Sequence, residues 1–156
     1  MSAAERISSA FQQTRLPTRD RRAVSHSAFT SYRVIVPEFR SDWVVDLQKR
    51  LDELTALPIG WDGYVGRPVS FQCANFVANM LERLHQANVP APCLVPGSDG
   101  SLQAEWHRNN FDVELDVLGV QKVIATRINR QTNEEETIEL QNDFSEIVDW
   151  ISALAD

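Results

Sequence analysis

The sequence predicts an α+β fold, an antiparallel β-meander of four or five strands with two or three helices packed on one face. Two patterns support this class: apolar residues spaced by three and four, typical of amphipathic helices, and strict apolar–polar alternation, typical of half-buried strands. A length of 156 residues and a hydrophobic content of 43% suit one domain with a sizeable core. We expect residues 28–156 to form that domain and residues 1–27, which carry few large apolar side chains, to form a basic, flexible arm.

The first half of the domain is predicted to contain one strand and two helices. Residues 29–36 are rich in aromatic and β-branched residues, which indicates a strand. Ser41 or Asp42 caps a first helix, and Pro68 and Ser70 open a second. The apolar stripes are Val44, Leu47, Leu51 and Leu54 in the first helix, and Phe71, Ala74, Val77, Ala78, Leu81 and Leu84 in the second.

The second half is predicted to be a meander followed by a helix. Residues 88–96 contain three prolines and suit an edge strand whose missing N–H groups face outward. Two alternating segments flank the turn residues 108–110 and form a β-hairpin, and further strands are expected over residues 122–128 and 136–140. A capping box at Asp143 opens the last helix. Its apolar stripe is Phe144, Ile147, Val148, Ile151 and Leu154.

The hairpin is expected to bring acidic residues together on one face. With the two asparagines at the turn centre, Trp106 faces Val113 on the apolar side. On the polar side the opposed pairs are His107 with Asp112, Glu105 with Glu114, and Gln103 with Asp116. Like charges directly across a strand pair are unfavourable unless a cation or a shared proton intervenes. On a solvated face, water and a cation from the next strand would soften that cost, and Lys122 or Arg127 could supply the cation.

This polar face admits three interpretations that the sequence leaves open. As the solvated face of an open sheet it needs no further role, and this is the default interpretation. As a metal or acid–base site it would use Glu105, His107, Asp112 and Glu114. As a partner-binding surface it would present Glu105, Asp112, Glu114 and Asp116 to a basic protein.

A glycine-rich loop joins the two predicted helices. Residues 57–70 hold three of the six glycines and two of the seven prolines, a composition typical of a compact turn with a fixed shape. We favour a structural role in which Trp61 and Tyr64 pack the loop onto its own domain; the alternative is that they are exposed binding anchors. Asp62 is expected to accept hydrogen bonds from amides of the same turn. The residues assigned to this structural loop are Gly60, Trp61, Asp62, Gly63, Tyr64, Pro68 and Ser70.

The loop and the hairpin together carry a resemblance. Gly60-Trp61-Asp62-Gly63-Tyr64 precedes Pro68 and Ser70, and Pro96, Asp99-Gly100 and Glu105-Trp106 follow. This order resembles the patterns GWDGYG-x-x-P-x-S and P-x-x-DG-x-x-x-EW of small bacterial and phage proteins that have no assigned activity. The chain departs from them at Val65, an inserted residue, and at Ser101, where a second glycine often stands. The resemblance implies that loop and hairpin form one structural unit, with Trp61 near the strand of Trp106.

Charge is unevenly distributed along the chain. Residues 1–40 carry seven arginines and three acidic residues, a net charge of +4, so the remaining residues sum to −11 against the total of −7. An acidic body repels nucleic acid and favours basic protein partners. Arg19, Arg21 and Arg22 of the arm are further candidate partner contacts.

Cysteine usage and hydropathy favour the cytoplasm. Cys73 and Cys93 belong to no metal-binding motif, so we expect free thiols and no metal or other cofactor. No apolar run approaches the roughly 20 residues that span a membrane, and the N-terminus lacks the apolar core of a signal peptide.

These features favour a non-catalytic regulator of bacterial or phage origin that binds a protein with a basic surface, in the manner of an antitoxin, an immunity protein or an inhibitor. One alternative is a metal-dependent enzyme that uses the acidic hairpin face. Another is an acidic mimic of nucleic acid that inhibits a nucleic-acid-binding enzyme. The lack of a recognisable catalytic motif favours the regulator over the enzyme, and the sequence indicates no oligomeric state.

Overall fold

The computed structural model describes residues 43–155, which form three helices and one five-stranded antiparallel sheet. The predicted α+β class is therefore confirmed. The basic arm with Arg19, Arg21 and Arg22, the strand over residues 29–36, the caps Ser41 and Asp42 and the side chain of Val44 lie outside the described residues. The elements are α1 (Trp43–Thr55), α2 (Phe71–Leu84), β1 (Cys93–Pro96), β2 (Leu102–Arg108), β3 (Phe111–Gly119), β4 (Lys122–Asn129), β5 (Glu134–Leu140), a 3₁₀ turn (Ser145–Ile147) and α3 (Val148–Ser152).

Helices α1 and α2 bury the described residues of the predicted stripes, apart from Phe71, which is half-buried. Helix α2 begins after Ser70, whose side-chain oxygen accepts a hydrogen bond from the Cys73 N–H at 3.1 Å and so caps the helix. Both helices are amphipathic and turn their apolar sides to a shared core. Their buried residues include Leu47, Leu51 and Leu54 of α1 and Ala74, Val77, Ala78, Leu81 and Leu84 of α2.

The sheet has the strand order β1-β2-β3-β4-β5, so each strand pairs with its neighbours in sequence. The β2–β3 hairpin has the predicted register, with Trp106 opposite Val113. Asn109 and Asn110 have φ values of 50° and 64°. A two-residue turn of type I′ requires such left-handed values, and asparagine tolerates them.

All the buried side chains of the sheet lie on the face that the helices cover, as predicted. Helix α2 packs on β2 and β3, and α1 packs on β1. Two buried indoles tie this layer to the segment before β1: Trp106 Nε1 donates to the Pro90 carbonyl at 2.8 Å, and Trp43 Nε1 donates to the Val89 carbonyl at 3.2 Å. The buried sheet residues are Leu94, Leu102, Ala104, Trp106, Val113, Leu115, Val117, Val123, Ala125 and Leu140.

The last hairpin turn is shorter than predicted. Strand β5 begins at Glu134, two residues before the expected start at residue 136, and Glu134 already pairs with Asn129. The Asn129 side chain accepts from the Gln131 N–H at 2.9 Å, and Asn133 takes a φ of 58°. These two asparagines close the turn within residues 130–133.

The C-terminal helical segment also differs from the prediction. A 3₁₀ turn precedes α3, and no side chain caps this turn. The Asp143 carboxylate instead accepts a hydrogen bond from the Ser145 N–H at 3.0 Å and so forms an Asx turn. Val148, expected in the buried stripe, is 41% exposed, and Trp150 is buried instead. The other members of the predicted stripe, Phe144, Ile147, Ile151 and Leu154, are buried as expected.

Candidate functional site

The sheet face opposite the helices is the larger candidate site. Within residues 43–155 no buried side chain lies on this face, and no described helix packs against it. Four carboxylates run along β2 and β3 there, and we call Glu105, Asp112, Glu114 and Asp116 the acidic strip. Strand register places Ile128, Thr126 and Ile124 of β4 beside Asp112, Glu114 and Asp116. The face is therefore acidic along its middle and partly apolar beside it.

His107 forms the most compact polar cluster of the strip. Its Nδ1 lies 2.8 Å from Asp112 Oδ1, and its Nε2 lies 3.5 Å from Glu105 Oε2. Arg130 Nε approaches the same Asp112 oxygen at 3.5 Å. The hydrogen bond with Asp112 raises the pKa of His107 above its usual value of 6.5, and the charges of Asp112 and Glu105 add to the effect. His107 and Arg130 thus compensate the Asp112 end of the strip.

The other end of the strip is less well compensated. Glu114 lies directly opposite Glu105, and its Oε2 accepts a hydrogen bond from Gln103 Nε2 at 3.1 Å. Partial burial, followed by the charges of Asp116 and Glu105, raises the pKa of Glu114 above its usual value of 4.5. Partial burial and then Glu105 raise the pKa of Asp116 in the same way. At neutral pH these carboxylates carry charge at a cost in free energy.

The possible compensation by Arg127 is wrong. Arg127 lies opposite Val113 on the helix side of the sheet, donates to Glu136 at 2.7 Å and lies 5.0 Å from the ring centroid of Trp150. Lys122 pairs with Gly119 at the far end of the strand. Strand parity explains the result for Arg127, which shares its side of β4 with the buried Val123 and Ala125, whereas Lys122 lies on the strip side of β4 beyond Ile124.

The geometry gives little support to acid–base or metal chemistry on the strip. Both ring nitrogens of His107 face carboxylates, and the ring is 51% exposed, so neither nitrogen points at a place where a substrate could be enclosed. Within residues 43–155 no group of three or more His, Cys, Asp or Glu side chains is placed to hold a metal ion. The acidic strip can instead attract and orient a cationic group of a partner.

The glycine loop, residues 57–70, is the second candidate site and is closed by its own hydrogen bonds. Gly60 N–H donates to the Gly66 carbonyl at 2.7 Å, and Gly63 N–H donates to the Gly60 carbonyl at 2.9 Å. Asp62 Oδ1 accepts from the N–H groups of Tyr64 and Gly66, each at 2.9 Å. These two bonds lower the pKa of Asp62, and they confirm its predicted role.

Backbone hydrogen bonds also fasten the loop to the domain. They reach the end of α1 and the turn between β1 and β2, so both limbs of the loop are held at fixed places. The bonds run from Arg67 N to Ser98 O at 2.8 Å, from Val69 N to Leu54 O at 3.2 Å, and from Ser70 N to Gly100 O at 3.2 Å. The loop is therefore fixed to the turn that precedes β2, and the unit of loop and β2–β3 hairpin that the resemblance implies stays a prediction.

The two aromatic residues of the loop have different environments. Trp61 is half-buried, and its Nε1 donates to the Arg67 carbonyl at 2.9 Å, which closes the loop on itself. It does not belong to the buried core that contains Trp106. Tyr64 is 85% exposed, so its expected packing onto the domain is wrong. The structural interpretation holds for Trp61, and the alternative of an exposed side chain holds for Tyr64.

Sequence reasoning missed three kinds of residue at these sites. Ile59 and Val65 lie beside Tyr64 on the glycine loop and are 82% and 81% exposed. The sequence signal for them was the presence of apolar side chains within a turn. Arg130 was missed because it follows β4 and reaches back to Asp112. The position of Ile124 beside the strip could have been predicted from strand parity.

The two cysteines are free thiols in different surroundings. Cys73 is buried, its Sγ lies 3.4 Å from the Val117 carbonyl, and burial raises its pKa to about 11. Cys93 is exposed on the edge strand β1. A thiol held protonated in a core is inert, so Cys73 serves packing.

Among residues 43–155 no helix combines the length and the apolar character needed to cross a membrane. No family model, curated protein or solved structure matches the chain.

Proposed function

We propose that this chain is a non-catalytic regulator that binds a protein partner, and that its acidic strip contacts a basic surface of that partner. The observation that carries the proposal is the placement of the strip on a sheet face that no described element covers. An antitoxin, an immunity protein or an inhibitor of bacterial or phage origin, acting in the reducing cytoplasm, is the class of regulator that fits.

The energetics of the strip support a binding role. Glu114 and Asp116 have raised pKa values, so their charged forms are disfavoured in the isolated domain. A lysine or arginine placed against them would remove that penalty and gain charge-assisted hydrogen bonds. Residues that lower the stability of the isolated domain but stabilise a complex are typical of binding surfaces.

The composition of the whole face also suits a protein partner. Ile124 and Ile128 flank the strip and are half-buried, so the face combines charge with apolar area. Protein interfaces have such mixed composition, whereas a metal site would require converging ligands. Contact with these isoleucines would add buried apolar area to the electrostatic attraction.

The proposal is tested by affinity capture from a lysate of the source organism with two variants of the full chain. The strip variant neutralises four charges: Glu105→Gln, Asp112→Asn, Glu114→Gln and Asp116→Asn. The control variant neutralises the same residue types on α1, on the 3₁₀ turn and on α3: Asp46→Asn, Glu53→Gln, Glu146→Gln and Asp149→Asn. Both variants change the net charge by the same amount.

The wild-type chain and the control variant should capture one basic partner that the strip variant loses. Rising salt should also weaken capture. Salt ions screen the attraction between exposed charges, and at physiological ionic strength this attraction is largely lost beyond roughly 8 to 10 Å. Equal capture by both variants would contradict the role of the strip. Catalytic turnover or heat on titration with Mg²⁺, Mn²⁺, Ca²⁺ or Zn²⁺, lost in Glu114→Gln, would instead support the enzyme alternative.

The nucleic-acid mimic is a narrower form of the same proposal. It requires that the captured partner itself bind DNA or RNA and that this protein compete for the same groove. Competition in a filter-binding assay with the purified partner distinguishes the two forms. Simultaneous binding of nucleic acid and this chain would exclude mimicry and leave ordinary protein binding.

A further inference from the structure

His107 is the side chain beside the acidic strip whose charge changes near neutral pH. Histidine has an ordinary pKa of about 6.5, whereas carboxylates titrate well below this value and arginine well above it. The ring is 51% exposed, so protons reach it directly from solvent. The hydrogen bond with Asp112 raises its pKa. The positive form of His107 is therefore populated at mildly acidic pH and is lost as the pH rises through that raised pKa.

The two ring nitrogens of His107 face two different carboxylates. Nδ1 lies 2.8 Å from Asp112 Oδ1 across the hairpin, and Nε2 lies 3.5 Å from Glu105 Oε2 on the same strand. The imidazolium ion carries a hydrogen on each nitrogen, so it can donate toward both carboxylates at once. The neutral ring carries only one, and its other nitrogen becomes an acceptor. Loss of the proton therefore removes a counter-charge from this end of the strip.

The remaining charged groups around His107 keep their charge through this change. Glu105 belongs to the same strand, Asp112 and Glu114 lie on β3, and Arg130 follows β4 and approaches Asp112 at 3.5 Å. Strand β1 pairs with β2 only as far as Glu105, so it adds no charged side chain beside the ring. The four carboxylates of the strip, offset by Arg130 and by protonated His107, leave a net charge of −2, and neutral His107 leaves −3.

The imidazolium ion competes with a partner for the same carboxylates. A lysine or arginine of the partner gains less from Glu105 and Asp112 while a positive charge already lies against them, and that charge also repels it. The neutral ring instead offers a nitrogen that can accept a hydrogen bond from the partner. Removing one unit charge several ångströms from a bound cation at a wet surface corresponds to about three- to tenfold in affinity.

We propose that His107 is a proton-dependent counter-ion that regulates the acidic strip. Its protonated form neutralises the end of the strip at Glu105 and Asp112 and weakens the hold on a basic partner, and loss of the proton frees that end for binding. This regulation rests on the proposed function, because it acts through the same surface. The complex should therefore form more tightly as the pH rises and be released as the pH falls.

The test measures the affinity of the full chain for a hexalysine peptide with acetylated and amidated ends, by calorimetry at low ionic strength, at pH 6.0 and pH 8.5. The lysines of the peptide keep their charge over this range. The wild type is compared with His107→Gln, which is neutral at both pH values, and with His107→Lys, which is positive at both. Because His107 is exposed, the thermal midpoints should show that both variants fold.

The wild type should bind hexalysine about three- to tenfold more tightly at pH 8.5 than at pH 6.0. His107→Gln should bind tightly at both pH values, and His107→Lys should bind weakly at both. Linkage requires the reciprocal effect, so a saturating amount of peptide should raise the acid dissociation constant of His107 by the same factor in an NMR titration. A purely structural role of the ring would leave that constant unchanged.

The strip variant separates failure of the regulation from failure of the proposed function. If the strip variant loses hexalysine binding, the regulation alone is overturned by a wild-type affinity that does not change with pH, or by an equal change in all three chains, which would report the carboxylates. Full affinity of the strip variant at pH 8.5, or no binding by the wild type at either pH, would contradict the strip as a cation-binding surface and the regulation with it.

Discussion

Replacing Glu114 by glutamine should stabilise the domain at neutral pH. Glu114 lies opposite Glu105 with Asp116 on the same strand face, and its pKa is raised by partial burial and by these charges. Glutamine keeps an oxygen that can accept the hydrogen bond from Gln103 and removes the charge. Relief of one cross-strand like-charge contact on a partly exposed face corresponds to about 0.2 to 1 kcal/mol. For a domain of this size that is a rise of roughly 1 to 5 °C in the midpoint.

The pH dependence of this effect has a definite sign. A raised pKa means that the folded state binds the Glu114 proton more tightly than the unfolded state, so this contribution to stability is present below the usual pKa of 4.5 and is lost as pH rises through the folded pKa. The glutamine variant has no ionisable group at position 114, so its stability does not fall in this way as the pH rises. The difference between variant and wild type should therefore be small at pH 4 and larger at pH 7.

The assay is thermal unfolding followed by circular dichroism at both pH values, in low and in high salt. Glu135→Gln on the exposed edge strand β5 is the control and should shift the midpoint little. High salt should reduce the gain of Glu114→Gln, because it screens the repulsion that the substitution removes. A midpoint for Glu114→Gln at or below that of the wild type at pH 7 would refute the description of the strip as electrostatically strained.

Three further predictions concern His107 and the glycine loop. The pKa of His107 in an NMR titration should lie above 6.5 and fall in Asp112→Asn; an unchanged pKa would argue against their hydrogen bond. In urea unfolding, Gly63→Ala should lower the free energy of unfolding by about 1 to 2 kcal/mol. The cause is backbone strain alone, because Gly63 has a positive φ and a Cβ there meets no atom within 4 Å. Gly119→Ala is the control and should not destabilise the domain, because Gly119 lacks a positive φ. Trp61→Ala should cost about 1 to 2 kcal/mol in the same assay, from the lost hydrogen bond to the Arg67 carbonyl and partial burial; full stability would show that the indole does not close the loop.

The hairpin register followed from the sequence because two local signals agree. Strict alternation on β2 and β3 fixes which side chains face the core, and Asn109-Asn110 can take the two left-handed values that a short turn needs. The sequence alone therefore predicts the opposed pair Glu105 and Glu114. The same alternation, carried into β4, would have placed Arg127 on the wrong side to compensate it.

Other features depend on tertiary contacts that local patterns do not contain. Trp61 and Tyr64 each follow a glycine, yet the Trp61 indole donates to the Arg67 carbonyl whereas the Tyr64 side chain faces solvent. Val148 is exposed and Trp150 is buried in α3, a difference that the spacing of the predicted stripe does not reveal. The predicted arm and first strand lie outside the described residues and remain predictions.

The central claim is that the acidic strip binds a basic surface of a protein partner. The most direct measurement is the affinity of the captured partner, purified, for the wild-type chain, the strip variant and the matched control variant, by calorimetry at low and physiological salt. We predict that the strip variant binds at least about tenfold more weakly and loses most of the salt dependence, while the control variant keeps both. Equal affinity and equal salt dependence in the two variants would contradict the claim.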